Sequence, residues 1–201
     1  MTTGLSTRTF ENLQLNAGIF MVNFDHEAIE DAAALREAIA SEIENGVNVR
    51  GATRGGGSFQ CTPTMRSVEA DGKRSEFVGS MVNDGWTVKL TTTLLEITPE
   101  NFARALICAD VQTVGKRTVV TIRTDVEVED YIPSLCWVGD TSEGLMLIEL
   151  DHALNLTGAN FTFTDKGEGT LPVEFQAHQG DLLAQEEAPC RVIFFGEPDA
   201  A

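Results

Sequence analysis

The run Trp86-Thr87-Val88-Lys89-Leu90-Thr91-Thr92-Thr93-Leu94-Leu95 admits few folds. Large apolar and small polar residues alternate along it, and β-formers dominate, which is the pattern of a half-buried strand. On such a strand Trp86, Val88, Leu90 and Leu94 share one face, while Thr87, Lys89, Thr91 and Thr93 share the other. A strand dry on one side needs a second layer of structure over that side. Further segments read as strands at Ser58–Pro63, Met65–Ala70, Thr118–Thr124, Leu145–Leu150, Leu154–Thr164, Leu171–His178 and Arg191–Phe195. Turn chemistry separates them at Ala70-Asp71-Gly72, Asn83-Asp84-Gly85, Asp165–Gly169 and Gln179-Gly180-Asp181. Short strands punctuated in this way predict a mainly β chain, an antiparallel β-sandwich or partial barrel.

Two helices interrupt the strands. Glu27–Glu44 places Ile29, Ala33, Arg36, Ile39 and Ile43 at helical spacing, with Asp25 as cap and Gly46 as stop. The second helix, at about 98–109, is short and better marked. Thr98 suits the N-cap, Pro99 the first helical position, and Glu100 the positive end. Ile97 and Phe102 occupy the positions of a hydrophobic staple. With 201 residues the chain fits a single domain, 1–201. Its outline has an N-terminal arm (1–12), the helical segment 27–46, a long inter-strand loop (71–84) and a C-terminal tail (196–201). Loops of that length are more often functional than decorative.

Charge excludes one class of function. The net charge is −17, and it is lopsided: residues 124–201 hold 2 basic and 16 acidic side chains. Gripping nucleic-acid phosphates needs clustered Lys and Arg, so ordinary nucleic-acid binding is ruled down. No apolar run of 18 residues exists, so no membrane-spanning helix is expected. Met1–Leu5 lacks the basic and apolar regions of a signal peptide, which predicts an intracellular chain with reduced Cys61, Cys108, Cys136 and Cys190. Those cysteines form no C-x-x-C, so no metal site is expected.

No catalytic constellation emerges either. Gly51–Ser58 resembles a phosphate loop only superficially: Gly57 stands where Lys is required, and no helix follows. The reading preferred for these glycines is close backbone approach beside a strand. Asp125, Glu127 and Glu129 alternate with Val126 and Val128, predicting an acidic strand face rather than a calcium loop. His26 follows Asp25, and His152 follows Glu149 and Asp151, but no nucleophile signature accompanies them. The chain is expected to be no enzyme, with no cofactor.

The order of features carries more than any one of them. Gly51–Phe59, then Arg66-Ser67-Val68-Glu69-Ala70-Asp71-Gly72, then Trp86–Thr93 leading through Leu95-Glu96-Ile97-Thr98-Pro99-Glu100 to Leu106, resembles the tail tube (major tail) proteins of tailed bacteriophages. Tyr131–Gly139 followed by Leu145–Leu150 is similar to that family's middle strands. Asp165–His178 is similar to its late D-K-x-E-x-x-L-P-V-x-F-x-A-H hairpin. The resemblance spans roughly 48–197, and the helix at 27–44 departs from it as an insertion on the outer surface. It implies a sandwich flanked by a helix, assembled into stacked hexameric rings that form a hollow, negatively charged conduit for the genome. Thr87, Lys89, Thr91 and Thr93 would face the lumen, with Lys89 requiring an acidic partner. Asp125, Glu127 and Glu129 would form the acidic face, and Asp71, Gly72, Lys73, Arg74, Phe77 and Asp84 the ring-to-ring contacts. The implied partners are further copies of the chain, tail-tip or baseplate, tape-measure and terminator proteins, and a sheath if the tail contracts. DNA would pass without specific binding, and this chain would insert into no membrane. The implied location is the virion tail, assembled in the host cytoplasm. The alternatives are a terminator or baseplate hub ring, the inner tube of a contractile injection machine and, more remotely, a carbohydrate-binding sandwich.

Overall fold

Alternation in the sequence becomes nine strands in the computed structural model, which describes residues 13–198 apart from 15, 47, 164 and 182–186. In chain order these are β1 (Ile19–Val22), α1 (Ala32–Asn45), β2 (Thr53–Ser67), β3 (Met81–Leu94), α2 (Pro99–Ala105), β4 (Ala109–Val114), β5 (Arg117–Ile122), β6 (Ile132–Thr141), β7 (Gly144–Asn155), β8 (Leu171–Gln176) and β9 (Cys190–Gly196). All named strand pairs are antiparallel. The chain is a mainly β sandwich, open as a partial barrel.

One strand serves both layers. Gly144–Leu150 of β7 lies between β6 and β9, whereas Leu154 and Asn155 pair with β8. The path therefore runs β1-β6-β7-β8-β3-β2, with β9 added beside β7. The switch falls at His152, whose φ of 44° turns the strand out of the first sheet and into the second.

In the first sheet, β1-β6-β7-β9, the strands β1, β6 and β7 are largely buried on both faces. Phe20, Leu135, Trp137, Ile148 and Leu150 meet Val88, Leu90, Leu94, Val173 and Phe175 of the second sheet. On the reverse face Met21, Cys136, Val138, Leu145, Leu147 and Phe195 meet Ala32 and Leu35 of α1. Burial on both sides explains why β6 and β7 read as continuous apolar runs rather than clean alternation.

Both helices begin and end where local chemistry dictates. Thr98 caps α2 by accepting from the Asn101 N–H at 3.1 Å, and Pro99 sits in its first turn. Asp31, rather than Asp25, caps α1, accepting from the Ala34 N–H at 2.8 Å. Gly46 closes α1 in the left-handed region, donating its N–H to Glu42 O. Two expectations shift as a result. The helix starts at residue 32 instead of 27, and its buried stripe is Ala32 and Leu35, with Ala33, Arg36 and Ile43 exposed.

Three boundaries differ from the sequence reading. β2 is one strand of 15 residues rather than two, and its glycines do not break it. Gly55 and Gly56 take φ near 75° within a bulge between Thr53 and Gly57, and a Cβ on Gly57 would lie 2.3 Å from Thr91 O. β3 begins at Met81, so the loop covers 68–80 and Asp84 belongs to a strand. β7 ends at Asn155, and 156–163 is irregular apart from one bridge at Thr162. The proposed arm 1–12 and residues 199–201 of the tail lie outside the described residues. Within the tail Gly196 ends β9, and Glu197 binds Arg36 of α1 through both guanidinium nitrogens at 2.9 and 2.6 Å.

Candidate functional site

Thr87, Lys89, Thr91 and Thr93 do share one face of β3, turned away from the core that holds Val88, Leu90 and Leu94. Register extends this wet face sideways: Thr87 opposes Thr62, Lys89 opposes Gln60 and Gln176, Thr91 opposes Ser58 and Glu174. Its groups satisfy one another. Ser58 and Thr91 hydroxyls lie 2.6 Å apart, and Gln60 donates to Thr62 at 3.0 Å. Lys89 Nζ sits 2.7 Å from Glu174 Oε1, so the cation that stood out in the sequence has its acidic partner. The surface is hydroxylic, with its one lysine neutralised by the adjacent strand. Trp86, expected on the dry face, is 40% exposed because the second layer stops short of it.

Beyond Val88 the β2–β3 hairpin leaves the core behind. Residues 60–66 of β2 are all exposed, and the hairpin continues through register Ser67↔Met81. The loop at its end is built rather than slack. Lys73 Nζ donates to Val68 O at 3.0 Å and to Glu76 Oε2 at 2.8 Å, and it also contacts the Ser67 and Ser80 hydroxyls. Hydrogen bonds from Lys73, Ser67 and Ser80 draw the Glu76 carboxyl down to about 2. Of the six residues assigned here to contacts, Lys73 is thus spent inside the loop and Asp84 on Arg66 at 2.8 Å. Asp71, Gly72, Arg74 and Phe77 remain exposed, and Phe77 and Val78 present apolar surface. Val78 carried no periodic signal in the sequence.

The acidic strand face is not there. Residues 125–130 form a bend and a 3-10 turn, Val128–Asp130, in which Val126 and Val128 are exposed. Asp125, Glu127 and Glu129 therefore line no strand. A local contact wins over alternation: Asp130 accepts from the Glu127 N–H at 2.8 Å, closing a capping box. Arg123 then gathers Asp110 at 2.9 Å, Glu127 at 3.2 Å and Asp130 at 2.6 Å. Burial opposes the charge on Arg123, but these three carboxylates outweigh it and hold its pKa above the ordinary value.

A cluster that sequence spacing missed lies beneath α1. Buried Glu149 on β7 accepts from Ser134 Oγ at 2.7 Å and sits 3.1 Å from His26 Nε2 and 3.1 Å from Arg191 Nε. Buried Cys136 joins it, and His26, Cys136 and Glu149 offer ligand atoms all within 4.8 Å of one another. The donor set does not suit a cation. Arg191 already occupies the Glu149 oxygen that a metal would need, and burial pushes the Cys136 thiol up to about 12. A thiol held protonated is a poor ligand and a poor nucleophile. The arrangement ties the segment before α1 to the sheet across 123 residues of chain. The only sequence signal was a lone histidine between two acidic stretches, which names no partner.

Compared with models of known protein families and with curated protein sequences, the chain matches none.

Proposed function

We propose that this chain is a structural subunit of a phage-tail-type tube, assembling into stacked hexameric rings around a bore through which DNA passes. One observation carries the reading: among the described residues β2, 15 residues long, is bonded to β3 alone, and it borders a sheet whose outer face is wet and whose cation is paired. A long open edge is a template for strand pairing with another chain. Among the described residues β9 is a second edge, bonded to β7 alone and carrying exposed Val192 and Phe194. The free side of β1, by contrast, is closed by backbone bonds to Asn48 and Arg50. Two open edges on one subunit allow head-to-tail pairing that closes a ring. Closure would set the Thr87, Lys89, Thr91 and Thr93 face around a continuous barrel and remove both edges. A hydroxylic wall without unpaired cations, on a chain of net charge −17, lets phosphates slide instead of stick. The built loop at 68–80 would reach the next ring through Phe77 and Val78.

Electron microscopy with sedimentation, on the purified protein at rising concentration, tests this. Sixfold rings or hollow tubes are expected, and isolated rings that never stack would favour a terminator or hub. A monomer at every concentration, still monomeric when seeded with a tail-tip complex, would overturn the proposal.

A further inference from the structure

Arg50, Arg104 and Arg123 line one cavity of about 460 Å3, walled by β1, α2, the start of β4 and the turn before β6. Arg123 is neutralised there by Asp110, Glu127 and Asp130. Arg50 and Arg104 meet on another part of the wall. Buried Asn101 on α2 accepts from Arg50 Nη1 at 3.4 Å, and its own amide donates to Arg50 O at 3.1 Å. Arg104 follows one helical turn later, on the same helix face as Asn101. Through Nη1 it donates to Glu129 O at 3.3 Å and Asp130 O at 3.1 Å. Among the described residues Arg104 forms no ion pair. Both arginines also border a small gap against core residues Phe20, Leu94, Ile132 and Leu135, so the pair lies between the core and the cavity. Burial, and then the nearby charge of Arg104, pulls the Arg50 pKa below its ordinary value, with Glu100 opposing. The backbone around the pair is strained as well. Asn23 and Ile107 line the same cavity with φ of 52° and 77°. Such conformations persist where their surroundings over-determine them, and they gather at binding sites.

We infer that this cavity binds a small organic monocarboxylate, its carboxylate bridging Arg50 and Arg104 and its apolar body lying along Val22, Ile107, Val111 and Ile132. A guanidinium fork matches the two oxygens of a carboxylate. Arg104 has the donors to spare, because its Nε and Nη2 meet no protein acceptor among the described residues. Two like charges set against a core are costly, and an anion between them removes that cost. The volume is that of a small-molecule site. Charge also selects among anions. Once Arg123 has taken its three carboxylates, exposed Glu100 and Glu129 remain on the wall and repel a ligand carrying two or more negative charges. The apolar side of the cavity disfavours anions with no apolar body. Phosphate fails on both counts. None of the described lining comes from β2 or β9, so the inference stands apart from the assembly reading.

The test is an NMR titration of the isotope-labelled full-length protein with sodium benzoate at neutral pH and low salt. Benzyl alcohol, which keeps the ring without the charge, and inorganic phosphate, which keeps charge without the ring, are the comparisons. Benzoate should give saturable shifts at Ala103, Arg104, Ile107 and Val111, with a dissociation constant of about 1 mM. Benzyl alcohol and phosphate should each bind about tenfold more weakly or worse. Added salt should weaken the benzoate complex. Arg104→Gln should cost about tenfold in benzoate affinity, and Arg104→Lys, which keeps the charge, clearly less. Val111→Trp fills the cavity from a position that is 39% exposed, so it should abolish binding while the melting temperature stays within about 2 °C. It thereby separates loss of the site from loss of the fold. Absence of saturable shifts, shifts confined to other parts of the molecule, phosphate or benzyl alcohol binding as tightly as benzoate, or unchanged binding in Val111→Trp would each overturn the inference.

Discussion

The two sheets of this molecule solve different problems. β1, β6 and β7 are covered on both faces, by the second sheet and by α1, and the buried charge of that sheet is the Glu149 network. β8-β3-β2 is covered on one face only, and its long hairpin runs past the core with residues 60–66 exposed. The first sheet spends its side chains on stability. The second carries length, an open edge and satisfied polar groups that stability does not require, and surplus of that kind is where recognition resides.

Substitutions sharpen the contrast. Leu150→Ala, at a fully buried position of the covered sheet, should cost about 3 kcal/mol in denaturant unfolding. An equal loss from Val82→Ala, in the projecting hairpin, would break the comparison. Glu149→Ala strands buried His26 and frees Arg191 and Ser134, and should cost about 2–3 kcal/mol by the same measurement. Ile107 departs from both regimes. It follows α2 with φ of 77°, a conformation that suits glycine and strains a β-branched residue. Ile107→Gly should therefore raise stability by about 0.5–1 kcal/mol. Phe77→Ser, at the exposed hairpin tip, should change unfolding by less than about 0.5 kcal/mol while abolishing stacking in the electron microscope.

The smallest effect is a titration. Glu76 is held down to about 2 by Lys73, Ser67 and Ser80. A carboxyl depressed in the folded state contributes its stabilisation above its ordinary pKa and loses it as pH falls towards the folded value. The loop should thus stay ordered at pH 4 and loosen only near pH 2, with the Glu76 carboxyl carbon shift as readout. A midpoint near 4.5 would show the loop to be slack.

Local chemistry was legible, and long-range chemistry was not. Thr98-Pro99-Glu100, Gly46 and the alternation through Thr87–Thr93 each act within a few residues, and each appears where the sequence places it. Strands buried on both faces lose alternation, which is why β1 gave no signal and β7 gave only part of itself. Asp125–Asp130 alternates as a strand does, yet the Asp130 side chain and Arg123 offered the backbone a tighter turn. The partner of His26 lies more than a hundred residues away, and no spacing rule reaches that far.

The most direct test of the central claim is an electron cryo-microscopy map of the assembled particle at side-chain resolution. The account predicts hollow tubes in which β2 pairs with a neighbouring subunit and Thr87, Lys89, Thr91 and Thr93 line the bore, Lys89 still joined to Glu174. A particle in which β2 stays unpaired, or in which that face is turned outward, would contradict it.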